Sequence, residues 1–298
     1  MVLFFQQLLN GLAAGSIYSL AALGLTLVFG VLHIPNFAHG AFYMMGAYAA
    51  LTLMAIFGLH YWLASFLSIL VIALLAVLSE RLVFYPLRND SPLQQMIAAI
   101  GILLFLEALA QVLWGADYRR METPYDQTVD LFGLRVTEQR LLIIVAAVLI
   151  MWLLHLFLKR TMIGAAVIAM AQNREGAYLV GINAKAISIL TFALSGALAA
   201  ASASLASPIN LIYPTMGNLV IMKAFVITII GGMGSIPGAI VGGYILGISE
   251  SFGATYISGE YKDLIAFALL VLILTVKPTG LFSGREQGWR KWSTKETA

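Results

Sequence analysis

Residues 26–40 read T-L-V-F-G-V-L-H-I-P-N-F-A-H-G, and the same skeleton returns 202 positions later, at 228–242, as T-I-I-G-G-M-G-S-I-P-G-A-I-V-G. Five identities keep register: Thr26 with Thr228, Gly30 with Gly232, Ile34 with Ile236, Pro35 with Pro237 and Gly40 with Gly242. Proline removes a backbone donor and glycine tolerates unusual dihedrals, so each copy predicts an interruption of regular helix. In an apolar chain, paired interruptions in two halves mark broken helices at a shared pathway. The two halves are therefore expected to be pseudo-symmetric, within a single transmembrane domain spanning residues 1–298.

The surroundings of these motifs are those of a bilayer. The chain is 61% hydrophobic and 10% charged, with a mean hydropathy of +0.92, too apolar for a soluble domain. Apolar runs of about 20 residues each suffice for one helical crossing. They fall near 8–30, 37–57, 62–79, 93–114, 141–158, 186–206, 219–235, 238–256 and 264–282. The expected fold is thus all-α, a polytopic membrane bundle of eight to ten transmembrane helices. A barrel is excluded because its strands would be short and alternating, whereas these runs are long and apolar all round.

The start, M-V-L-F-F-Q-Q-L-L-N, lacks a basic n-region, so the first apolar run reads as a retained helix. With no cysteine, the chain has neither disulfides nor thiolate chemistry. A net charge of +3 suits a membrane protein obeying the positive-inside rule better than a nucleic-acid binder. Assigning alternate loops to one side collects eleven basic residues: Arg81, Arg88, Lys159, Arg160, Arg174, Lys185, Lys277, Arg285, Arg290, Lys291 and Lys295. The other side holds five, Arg119, Arg120, Arg135, Arg140 and Lys262, so the loop 159–185 and the C-terminal tail are expected in the cytoplasm.

Within that loop, 173–181 has the form of a short helix: Asn173 as N-cap, Arg174 and Glu175 in the first turn, Gly181 as the stop. Displayed at the membrane surface, such a helix suits docking in a partner's groove, or equally an ordinary interfacial position between spans.

Ionisable groups inside apolar runs are costly and so are functional candidates. Glu107, Lys223 and Glu250 are three. A chain folding back near Ile236 places Lys223 thirteen residues before the turn and Glu250 fourteen after it, at nearly equal depth. They are expected to form an intramembrane charge pair, acting as packing lock or gate. Around the first break, Asn36, His39 and Tyr43, with Pro35 and Pro237, are candidates for a substrate pathway. Asn36 and His39 read as polar partners for freed backbone groups. His33 and His39, six apart without a neighbouring carboxylate, make a poor metal site, so no metal is expected. No Ser/His/Asp set or loop carboxylate pair suggests catalysis, and no G-x-x-x-x-G-K-[ST] run cradles a nucleotide. Any ATPase must be a separate chain, and no cofactor is implied.

Several segments carry a family resemblance: I-P-N-F-A-H-G-A-F-Y-M-M-G-A-Y at 34–48, A-Q-N-R-E-G-A-Y-L-V-G-I-N at 171–183, P-T-M-G-N-L-V-I-M-K-A-F at 214–225, G-G-M-G-S-I-P-G-A-I-V-G-G at 231–243 and K-P-T-G-L-F at 277–282. The chain resembles the H-type permease subunits of branched-chain amino acid ABC importers nearly end to end. It departs from the usual pattern at Ala165 and Ile168, where that family usually has basic residues. The resemblance implies a multi-pass inner-membrane permease of bacteria or archaea, forming half a pore by alternating access. Its partners would be a second related permease, two ABC ATPases, an extracytoplasmic solute-binding protein and the lipid bilayer, with no nucleic acid. It further implies that 173–181, including Ala177 and Gly181, couples to the ATPase, with Ala177, Tyr178, Leu179 and Val180 expected as the apolar ridge that inserts into its groove. Expected solutes are branched-chain or similar small amino acids. Urea or short amides through the same kind of permease, and an ion-coupled secondary transporter, are the alternatives.

Overall fold

The computed structural model describes residues 2–131 and 133–282, a bundle of eleven α-helices with one small β-hairpin at its end. The basic tail residues Arg285, Arg290, Lys291 and Lys295 lie outside the described residues. In chain order the helices are α1 (Val2–Leu32), α2 (Ala38–Ala55), α3 (Tyr61–Ser79), α4 (Pro92–Trp114), α5 (Glu138–Arg160), α6 (Met162–Gln172), α7 (Arg174–Leu179), α8 (Ala184–Ala206), α9 (Met216–Gly231), α10 (Ile236–Tyr256) and α11 (Lys262–Val276). A π-helical turn, Glu80–Phe84, extends α3. Strands β1 (Thr128–Leu131) and β2 (Leu134–Thr137) pair antiparallel in the loop before α5.

Every apolar run of the sequence forms helix, but fewer than eight of these helices are long and apolar enough, by length and composition, to span a membrane. Five helices are long and apolar enough to span a membrane, six if α9 and α10, bent by 119° at their break, count as one. The excess has a physical source. The run containing α2 yields an 18-residue helix whose His39, Tyr43 and Tyr48 are buried in the core, and α11 extends for only 15 residues. An apolar run in sequence does not distinguish a helix facing lipid from one enclosed by other helices.

That distinction orders the bundle. In α1, 78% of the spanning stretch is buried against protein, whereas α4 and α5 bury 28% each. The outer helices direct large apolar side chains outward, among them Phe66, Leu74, Phe105, Val145 and Trp152. The central contact is α1 against α10, and it depends on missing side chains: a Cβ on Gly11 would meet Ile248 Cα at 2.7 Å, and one on Gly15 would meet Tyr244 Cα at 2.9 Å. Small residues let backbones approach in the manner of membrane helix pairs. A hydroxyl reinforces the approach, Ser19 Oγ donating to Ile240 O (3.0 Å), and Ser202 Oγ ties α8 to α1 by donating to Ile17 O (2.9 Å).

Both sequence breaks are turns at the same end of the bundle. Residues 33–37 separate α1 from α2, with His33 in the left-handed region at φ 58. Between α9 and α10, Gly232 (φ 99) and Gly234 (φ 84) make the turn, so Pro237 sits just after the interruption, in the first turn of α10. There Ser235 Oγ accepts from Gly238 N at 3.2 Å as the N-cap. Gly30 packs on Gly234, bringing the two turns together. At the other end the N-terminus meets the β-hairpin, Gln6 Nε2 donating to Arg135 O at 2.8 Å. Nearby, the loop after α8 pairs with the 115–127 segment through Arg119 and Ile212.

Candidate functional site

A cavity of about 630 Å³ opens toward the hairpin end. Near its mouth lie Gln7, Asn210 and Thr255, and deeper in it Tyr18, Lys223 and Glu250. Helices α1, α9 and α10 each supply one of these three deep groups, and the α9–α10 turn sets the depth of the last two. Glu250 is fully buried. Lys223 Nζ straddles its carboxylate, 2.9 Å from Oε1 and 3.1 Å from Oε2. Hydrogen-bond geometry is met only at Oε2; Oε1 is held by charge without a directed donor. Tyr18 closes the triangle, donating to Glu250 Oε2 at 2.7 Å and accepting from Lys223 Nζ at 3.1 Å. Two groups from α11 extend it: Asp263 Oδ1 lies 3.1 Å from Lys223 Nζ, and Lys262 Nζ lies 3.9 Å from Glu250 Oε2. The result is an alternating quartet of two cations and two anions, with a phenol in contact. Buried charges persist only when paired and hydrogen-bonded in this way.

The structure thus brings Lys223 and Glu250 together at the depth that residue counting gives. It separates the other pathway candidates. Tyr43 lines the cavity, whereas Asn36, His39, Pro35 and Pro237 do not. The His39 ring is fully buried between helices, Nε2 donating to Ala21 O (2.8 Å) and Nδ1 accepting from Ser195 Oγ (3.0 Å). Asn36 is completely buried, and neither Oδ1 nor Nδ2 has a partner. Glu107 lies away from the quartet and accepts from Asn218 Nδ2 at 2.7 Å, joining α4 to α9. Among the described residues, no group of three or more His, Cys, Asp or Glu could hold a metal ion.

Residue-level reading missed Tyr18, Lys262 and Asp263. Tyr18 is 205 residues from Lys223 in sequence, and no local pattern links them. Asp263 stands at the first turn of α11, where an acidic residue looks like ordinary helix-dipole compensation.

At the opposite end, α7 runs over Arg174–Leu179. Asn173 caps it, Oδ1 accepting from Gly176 N at 2.9 Å, and Gly181 follows at φ 83, the left-handed stop that glycine accommodates. The faces correct one expectation. Ala177 is 3% exposed and turned into the bundle, so it is no part of an outward ridge; Tyr178, Leu179 and Val180 are the exposed apolar residues, Leu179 at 90%. Glu175 is exposed and Arg174 half-buried.

Comparison with known proteins decides the family. The profile described as "Branched-chain amino acid transport system / permease component" matches residues 7–274. The chain belongs to this permease family. It is 38% identical to the high-affinity branched-chain amino acid transport system permease protein BraD of Pseudomonas aeruginosa, over 95% of this chain and 97% of the relative. Identity to the LivH permease protein of Escherichia coli is 37%, over 95% and 96%. Among solved structures, PsaBC from Streptococcus pneumoniae in complex with Fab superposes with a TM-score of 0.51 at 12% identity, covering 95% of this chain and 94% of that one. At that identity the likeness is of fold alone. The chain is accordingly a multi-pass permease of the BraD/LivH type, a non-catalytic transmembrane subunit of an inner-membrane ABC importer.

Proposed function

We propose that this permease carries branched-chain amino acids, as the names of BraD and LivH state for those relatives. The cavity at the hairpin end is its solute chamber. The observation that carries this is a space of about 630 Å³ with a cation and an anion side by side within it. The volume lies in the ~300–1,000 Å³ range of small-molecule sites. An α-amino acid offers one charge to each: carboxylate to Lys223, ammonium to Glu250. Tyr43 belongs to the chamber wall. Pro35 and Pro237 mark the turns about which helices rock, and His39 ties the start of α2 to α1 and α8 through Ala21 and Ser195.

Nine segments lie in the membrane under this reading, α1–α5 and α8–α11. The shorter or more polar α2, α9, α10 and α11 are accommodated by packing on their neighbours. The halves are parallel repeats. α1 and α9 both run from the hairpin end to the turn end, and α2 and α10 both return. Thr26 Oγ1 lies 3.1 Å from Thr228 Oγ1, its own counterpart. In a two-fold arrangement, equivalent residues touch only near the axis. That axis therefore runs along the bundle, as in parallel-repeat carriers.

The partners are a related M-type permease, two ABC ATPases, one of them seated on Tyr178, Leu179 and Val180 of this chain, and a solute-binding protein at the hairpin end. Reconstituting all five polypeptides in proteoliposomes tests this. Leucine, isoleucine and valine uptake should require internal ATP and survive a protonophore. Uptake collapsed by the protonophore while ATP is maintained would make the chain an ion-coupled carrier, and transport of urea or acetamide in preference to leucine would overturn the solute assignment.

A further inference from the structure

A second cleft, of about 450 Å³, lies beneath α7 at the opposite end. It has a chemical peculiarity that the solute chamber lacks. Glu80, in the π-helical turn after α3, is 1% exposed. Its Oε1 accepts from Ser188 Oγ at 2.8 Å, but Oε2 has no hydrogen-bond partner. A buried polar atom without a partner demands an explanation, and π-helical turns recur where a side chain is presented for function. Arg88, Arg174 and Lys185 line the same cleft, and none of them is in an ion pair among the described residues. Two are held in place instead by the Tyr85 ring, with Arg88 Cζ 4.1 Å and Lys185 Nζ 4.7 Å from its centroid. The remaining wall is mixed, with Ile34, Phe84 and Ile182 beside His33, Gln95 and Asn183.

Each simpler ligand leaves one half unsatisfied. Inorganic phosphate would suit the cations but would set its own negative charge against the Glu80 carboxylate. An arginine from a docked ATPase would suit Glu80 but would enter among three cations. A zwitterionic α-amino acid satisfies both, and its side chain has Ile34, Phe84 and Ile182 to cover. We propose that the cleft beneath α7 is a second solute site, binding a zwitterionic amino acid at the ATPase-facing end, with the ammonium on Glu80 and the carboxylate among Arg88, Arg174 and Lys185. It rests on the amino acid permease reading and goes beyond it by placing a release-side station against the coupling helix.

The full chain in lipid nanodiscs, without ATPase or binding protein, allows direct titration with radiolabelled leucine, so loss of transport and loss of this site are separately readable. Glu250→Gln serves as background to weaken the larger chamber. In it, leucine should still bind, and adding Glu80→Gln should weaken affinity at least tenfold. Lys185→Gln, at an exposed position that leaves folding untouched, should weaken it about threefold. Leucinamide, lacking the carboxylate, and isocaproate, lacking the ammonium, should compete at least tenfold more weakly than leucine. The proposal is overturned if no leucine binds in the Glu250→Gln background, if Lys185→Gln leaves affinity unchanged, or if leucinamide and isocaproate compete as well as leucine. Displacement by inorganic phosphate at equal concentration would make the cleft an anion site instead.

Discussion

The two cavities of this permease treat charge in opposite ways. In the chamber between α1, α9 and α10, the four members of the quartet are partnered by charge: Lys223 touches Glu250 and Asp263, and Lys262 approaches Glu250, while Arg140 in the wall donates to Asn10 Oδ1. In the cleft beneath α7, a carboxylate oxygen and three cations stand without one another. The difference follows surroundings. Glu250 is closed off from water, so the protein must supply its counter-charge itself, while Lys262 and Asp263 stand about half exposed beside it. At the α7 end, Lys185 and Arg88 reach solvent and tolerate being unpaired. A compensated site is built to exchange partners; an uncompensated one is built to receive something.

Breaking the compensation should produce the largest effect. Lys223→Met leaves the carboxylate of Glu250 buried with only Tyr18 directed at it, and should cost about 3–5 kcal/mol. Thermal unfolding in detergent should move down accordingly. Lys223→Met with Glu250→Leu should recover most of that stability while leucine uptake in the complete importer stays absent. Full uptake by the double variant would reduce the quartet to a packing device.

Next come the two faces of α7. Ala177→Arg forces a long side chain into an inward-facing position and should destabilise by roughly 1–3 kcal/mol. Leu179→Asp, at a 90% exposed site, should leave the melting temperature unchanged. It should still lower uptake and solute-stimulated ATP hydrolysis together by about tenfold, roughly 1.4 kcal/mol of coupling. Hydrolysis at the wild-type rate in Leu179→Asp would remove this ridge from the ATPase contact. The smallest effect belongs to the uncompensated end: Arg88→Gln removes a cation from the Tyr85 face and should change stability by about 0.5–1 kcal/mol, measured in the same melts. A larger loss would mean that the cleft cations are structural.

Legibility from sequence followed the range of the interactions. Local signals were readable: the apolar runs became helices, Asn173 and Gly181 bound α7, and the Pro/Gly motifs fell at turns. The Lys223–Glu250 contact was also readable, because one turn and a fixed helical rise set their relative depth. What failed depended on a third element. Tyr18 joins the pair from α1, Asp263 from α11, and Ser188 reaches Glu80 from α8. Glu80 was hidden for a further reason: it stands one residue beyond the apolar run 62–79, where a charge looks like an ordinary span end. The inward turn of Ala177 was illegible because a six-residue helix carries too little pattern to assign its faces. His39 was a pathway candidate by its place beside the break; its ring bonds to Ala21 and Ser195 depend on packing among three helices.

The charge quartet also determines how this permease responds to an electric field. Moving one elementary charge across a membrane costs about 2.3 kcal/mol per 100 mV. Lys223 and Lys262 against Glu250 and Asp263 sum to zero, so a rocking motion that carries the four together does no net electrical work. A zwitterionic solute seated among them adds none. Voltage therefore has no lever on this step: proteoliposomes loaded with ATP and clamped at different membrane potentials should take up leucine at the same rate.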